Sequence, residues 1–259
     1  MANIYRTYAP LNSKAPQAIK WLLASNIGLF LLYFFSMLAG LGRYWEPLLL
    51  VPADVLQRFH VWQLVTYMFL HDPFGVWHIL LNMLVLWMFG EMLLYSWGDR
   101  EFLKYYFTCG VGAAICIILV DLVLFPSHLT APTLGASAAI YGLLFAFGYL
   151  FPNEIIMFMF VVPMKAKYAV MIYGAIAFLS SLRGGDGVSH IGHLSGMLVG
   201  YVYLKLKANR RRPAYARSSS AGFLDSIQQQ YKEWKIQRAR RKFEVYMKER
   251  DRNKDRFVH

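Results

Sequence analysis

Charge is scarce in this chain: only 16% of its 259 residues are Asp, Glu, Lys or Arg, against 57% from the hydrophobic set. That balance excludes an ordinary soluble domain, in which about a quarter of the residues are charged. Cysteine is nearly absent. Cys109 and Cys116 lie in one apolar block, and a helix would hold them about 10 Å apart, too far for a disulfide. They read as packing residues, and nothing suggests a structural zinc site. No repeat of fixed period is visible. The first 20 residues hold Arg6, Lys14 and Lys20 but no acid, and an apolar run follows at once. A signal peptide fits that pattern on paper, but an uncleaved signal anchor is preferred, because later spans need a fixed starting orientation.

The apolar residues come in blocks that approach the roughly 20 residues a membrane-spanning helix requires. Six spans are predicted, at about 21–40, 76–95, 104–125, 136–151, 168–182 and 188–204. Residues 41–75, with Pro47, Pro52 and Pro73 and many aromatics, are too apolar for a solvated loop and too interrupted for a span. An interfacial, partly helical connector fits them. Residues 154–164 read as a short membrane-surface segment. The fold class is all-α: a polytopic bundle of six transmembrane helices followed by a basic tail.

The positive charge is uneven. Residues 1–204 carry ten basic and nine acidic residues, whereas 205–259 carry seventeen and six. Basic residues near span ends mark the cytoplasmic side. Arg6, Lys14 and Lys20 at one terminus and Lys205, Lys207 and Arg210–Arg212 at the other therefore place both termini in the cytoplasm. Arg100, Lys104, Lys165 and Lys167 then fall on cytoplasmic turns. This topology sets the starts of spans two, four and six at the outer face, and with them His78, Asn82, Ser137, His190 and His193.

Polar groups inside spans are costly and usually serve a purpose. Ser137 opens span four within Thr-Leu-Gly-Ala-Ser-Ala-Ala (133–139). Unpaired amides of a first helical turn favour developing negative charge, as an acyl-transfer oxyanion requires, and Gly135 allows a tight turn before it. A plain N-cap serine is the alternative. In span six, Gly192, Gly196 and Gly200 repeat every four residues, and Ala138, Gly142 and Ala146 do the same in span four. Such faces let membrane helices approach closely, which would bring Ser137 within reach of a histidine base; a Ser–His pair lacking a carboxylate is a plausible variant of triad logic. His78 and Asn82 share a helix face. They can donate to an oxyanion, or they can simply satisfy each other or the connector. His71, His78, His190 and His193 lie near one face, but no Cys or carboxylate completes a metal set.

Gly-Ala-Ser-Ala before a span, His193-x-x-Gly196-x-x-x-Gly200 in the last span, His78-x-x-x-Asn82 in the second and Trp62–His71 ahead of it together resemble the rhomboid intramembrane proteases over roughly residues 21–206. The resemblance implies Ser137 as nucleophile and His193 as general base. It implies an oxyanion hole from His78, Asn82 and the Ser137 amide, and Tyr141 as an aromatic packed on the catalytic imidazole. His193 rather than His190 is the base, because only His193 has the glycine continuation and it lies deeper. Gly135, Gly196 and Gly200 are supporting residues. Two positions depart from the family: Ala138 stands where Gly is frequent, and Leu94 where an acidic residue is usual, with Glu91 nearby.

The implied protein is an integral, multi-pass serine endopeptidase of the bacterial inner membrane. It would cut single-span membrane substrates near the outer face, without a metal or organic cofactor. The implied layout is an N-terminal cytoplasmic segment 1–20, a protease domain 21–206 and a tail 207–259. The rivals are a rhomboid-like protein that binds membrane clients without cutting them, and a transporter, whose broken helices and mid-membrane charges are not evident. In the tail, SSSAG (218–222) reads as a hinge and 223–256 as a helix. That helix is either solvated or laid on anionic lipid; mixed acids argue against nucleic acid.

Overall fold

Where no water is available, backbone amides and carbonyls must be satisfied within the segment itself, so apolar runs become helices. The computed structural model describes residues 17–158, 161–183 and 190–210. The N-terminal segment up to residue 16, residues 159–160, the glycine-rich stretch 184–189 and the basic tail from 211 lie outside the described residues. The long helices are α1 (Ala18–Leu38), α4 (Val76–Trp97), α5 (Asp99–Val123), α6 (Ser137–Leu150), α7 (Ala166–Arg183) and α8 (His190–Arg210). Of these α1, α4 and α5 are long and apolar enough to cross a membrane. Helix α6 has 14 residues, and α8 carries Lys205 and Lys207 in its last turns.

Exposure fits a bundle whose solvent is lipid. Trp21, Phe35, Trp77, Trp87, Tyr95 and Met171 all face outward, whereas Tyr67, Tyr105, Tyr106 and Phe102 are fully buried. Two of these tyrosines are paired, whereas the Tyr106 hydroxyl has no hydrogen-bond partner among the described residues. Tyr67 Oη donates to the Gly110 carbonyl at 2.8 Å, and Tyr105 Oη to that of Gly142 at 2.8 Å. Helix α1 is anchored in trans, since Asp99 Oδ1 accepts from the amides of Gln17 (2.9 Å) and Ala18 (2.8 Å). That contact supplies, from another helix, the acceptor an N-cap side chain normally provides.

The connector between α1 and α4 is partly helical, with α2 (Pro52–Arg58), α3 (Gln63–Thr66) and three 3₁₀ turns. Its backbone is held by local side chains: Gln63 Oε1 accepts from Val51 N at 2.9 Å, and Thr66 Oγ1 donates to Leu48 O at 2.7 Å. It also grips the loop leading to α6, because Leu50 and Thr133 exchange both backbone hydrogen bonds, at 3.0 and 2.8 Å.

The all-α expectation needs one correction. Residues 154–164 do not simply lie along a surface: β1 (Ile155–Phe158) and β2 (Val162–Lys165) form an antiparallel hairpin, with Ile156 opposite Met164 and Phe158 opposite Val162. β-Branched and aromatic residues favour that pairing, and Pro163 sits on a two-stranded ribbon, where every strand is an edge. Alternate residues of β1 point inward and outward, and the inward Ile156 and Phe158 are apolar like their outward neighbours.

Candidate active site

Gly135 has φ +118°, a conformation glycine reaches at little cost. Its amide donates to Tyr67 O at 2.9 Å, so the connector fixes the turn that delivers Ser137 to the first position of α6. Helix α6 is then clamped on three sides. Phe147 meets Phe89 of α4 edge-on at 5.0 Å. Gly142 packs against Cys109 of α5, where an added Cβ would lie 2.6 Å from Sγ. On the third side Gly196 of α8 lies against the Ala138 carbonyl, so close that a Cβ there would overlap it. Gly200, one turn on, abuts the Tyr105 hydroxyl, and Gly192 is the first of the series. Ala138 itself is buried in this seam, its methyl accommodated although its carbonyl is what Gly196 touches.

This close approach sets Ser137 Oγ 2.8 Å from His193 Nε2. His193 is only 8% exposed. Its ring lies parallel to that of Tyr141, with centroids 4.1 Å apart and planes 3° from parallel. Tyr141 is one turn below Ser137 on α6, so one helix carries both the hydroxyl and the face on which its neighbour rests. His190 stands edge-on to His193 at 5.7 Å and does not replace it at the serine.

His78 and Asn82 occupy the first two turns of α4. The His78 ring covers Gly135: a Cβ placed there would lie 3.2 Å from His78 Nε2 and 3.8 Å from Ser137 Oγ. Asn82 is buried and its Nδ2 has no hydrogen-bond partner. The two residues are therefore not tied to each other. A buried amide without an acceptor is costly, and donors held toward a reacting carbonyl are what oxyanion stabilisation requires. Among the described residues no three His, Cys, Asp or Glu side chains gather to hold a metal ion.

Several contacts were not evident in the sequence. His71, in the connector, is fully buried with its ring 5.3 Å from His78. Burial, and next the neighbouring imidazole of His78, lower its pKa to about 3, so it stays neutral. Tyr141 meets Tyr173 of α7 edge-on at 6.4 Å, and Tyr173 meets Phe158 of the hairpin at 5.0 Å. Leu94, where an acid was expected, is buried in the core. The ionic anchor at that end of the bundle comes from Glu101 instead, which accepts from Tyr203 at 2.7 Å and from Lys207.

A helical membrane bundle with a serine and a histidine in hydrogen-bond contact at adjoining helix starts defines the class. Residues 58–210 match the Rhomboid domain model, and the chain belongs to the rhomboid family. It is 33% identical over 139 residues to the mitochondrial rhomboid protein 1 of Saccharomyces cerevisiae, covering 52% of this chain and 38% of that protein. It is 29% identical over 204 residues to the chloroplastic rhomboid-like protein 11 of Arabidopsis thaliana, covering 74% and 66%. It is 28% identical over 140 residues to the rhomboid protease GluP of Bacillus subtilis, covering 54% and 25%. The chain thus spans between a quarter and two thirds of the length of these curated relatives. Family and apolar helices together make it an integral membrane protein.

Proposed function

We propose that this chain is an intramembrane serine endopeptidase that hydrolyses peptide bonds of single-span membrane proteins near the membrane face where α4, α6 and α8 begin. The observation that carries the reading is the 2.8 Å contact between Ser137 Oγ and His193 Nε2. His193 takes the hydroxyl proton as Oγ attacks the substrate carbonyl, then passes it to the leaving amine as the C–N bond breaks. Water attacks the resulting ester, gives a proton to the same imidazole, and the proton returns to Oγ. Asn82 Nδ2, His78 and the Ser137 amide stabilise the negative oxygen in both tetrahedral stages. Tyr141 holds the imidazole plane through the cycle. The scheme uses no metal or organic cofactor.

A position near the outer membrane face, lined by the polar side chains of Ser137, His78 and Asn82, supports water access to the dyad. A helical substrate hides its carbonyls in backbone bonds, and so must unwind locally before attack. The distribution of Lys and Arg favours six spans with both termini in the cytoplasm. The protease domain in this reading is 21–206, with 207–259 as a cytoplasmic tail that can meet anionic lipid.

The test is cleavage of a fluorescent single-span substrate in proteoliposomes by wild type, Ser137→Ala and His193→Ala, each checked for equal expression and fold. Loss of cleavage in both variants supports the dyad. Retained cleavage overturns it. Substrate capture without cleavage by any form would favour a client-binding protein.

A further inference from the structure

Helices α7 and α8 leave a groove of about 460 Å³ between them, within the range of ligand pockets. Its floor is Phe145 of α6, and its walls are Val170, Met171 and Gly174 on α7 and Met197 and Tyr201 on α8. Apart from the Tyr201 hydroxyl these side chains are apolar. A membrane groove of this kind attracts no water, and leaving it empty forfeits the packing that its walls could make. Gly174 widens it: a Cβ there would come only to 3.6 Å of Met197 Sδ, an ordinary contact.

The groove ends at a set of hydrogen-bonding groups. Lys205, one turn beyond Tyr201, sets Nζ over the Tyr201 ring at 4.9 Å from its centroid. Tyr149 of α6, exposed and stacked on Phe145 with centroids 5.9 Å apart, supplies a second phenol beside the groove floor. Lys207, two residues on, is paired with Glu101, whereas among the described residues no carboxylate lies within ion-pair distance of Lys205. An exposed ammonium and two phenols, at the mouth of an apolar trench, are complementary to a phosphate carrying an acyl chain.

We propose that this groove binds one anionic phospholipid, with an acyl chain between α7 and α8 and the phosphate held by Lys205, Tyr201 and Tyr149. Neither Ser137 nor His193 lines the groove, so lipid retention can be read without any cleavage assay. The full chain would be exposed to vesicles of equal parts phosphatidylglycerol and phosphatidylcholine with the same acyl chains, extracted, and read by native mass spectrometry. Wild type retains one phosphatidylglycerol in preference. Combined Lys205→Gln and Tyr201→Phe substitutions, which remove one charge and one hydroxyl, lower that preference about fivefold. Gly174→Leu fills the trench and lowers retention of both lipids. Equal retention of the two lipids by wild type, or retention of phosphatidylglycerol unchanged in both variants, would overturn the proposal.

Discussion

Gly196 of α8 rests directly on the carbonyl of Ala138, leaving no room for a β-carbon. The residue after Ser137 and the residue three beyond His193 therefore set how near hydroxyl and imidazole come. Gly196→Ala must push the helices apart or distort one of them, since the neighbour is backbone and cannot rotate away. Misplacement of reacting groups by about 1 Å costs on the order of 100-fold, and overpacking a core costs about 1–3 kcal/mol. The variant should lose cleavage by about that factor and unfold earlier in a denaturant titration. Cleavage at the wild-type rate would show that the contact does not set the dyad distance.

Asn82 offers a sharper separation of roles. Its buried Nδ2 has no partner in the resting protein, so its removal should leave stability almost unchanged or improved. Loss of one oxyanion donor lowers kcat about 10²–10³-fold. Asn82→Ala is expected to lower kcat to that extent with little change in KM, and His78→Ala to act in the same direction. Steady-state kinetics on the detergent-purified protein reads this; a change in KM alone would assign Asn82 to substrate binding.

Much of this geometry could be read from the chain. Small residues every four positions on spans four and six pointed to a close helix pair, and apolar length placed the helices to within a few residues. What escaped has a common physical cause: the contacts join segments distant in sequence through single side chains. Nothing local in Asp99 announces that it caps α1, nor in Gln63 that it holds Val51. The hairpin after α6 was missed for a different reason. Its strands are apolar on both faces, so the alternation that marks a half-buried strand is absent. Glu101 was similarly hidden, because an acid at a span end reads as solvated until Lys207 and Tyr203 fold back onto it.

The ring contacts that run from Phe158 through Tyr173 and Tyr141 to His193 predict graded effects. A well-formed aromatic pair contributes about 0.5–1.5 kcal/mol beyond its buried area. Tyr141→Phe keeps the ring stacked on His193 and should retain most activity, whereas Tyr141→Ala releases the imidazole and should lower kcat about tenfold, which corresponds to about 1.4 kcal/mol. Phe158→Ala, farther from the dyad, should have a smaller effect in the same direction. Equal activity of Tyr141→Phe and Tyr141→Ala would mean that the stack does not hold the base.

His71 makes stability fall with acid. Its ring is fully buried beside His78, and burial, followed by the His78 imidazole, lowers its pKa from 6.5 to about 3 in the folded protein. The unfolded chain keeps a value near 6.5, so between pH 6.5 and 3 the unfolded state binds the proton and the folded state does not. Stability contributed by the neutral ring is complete above 6.5, drains as pH falls, and stops draining below the folded value. Over that window this one group costs about 1.4 kcal/mol per pH unit. Met is apolar, flexible and able to fill an irregular site, so His71→Met removes the titration while keeping the space occupied. Denaturation midpoints at pH 7, 5.5 and 4 should fall steeply for wild type and less steeply for His71→Met. An identical slope in the two proteins would assign the acid sensitivity to other groups.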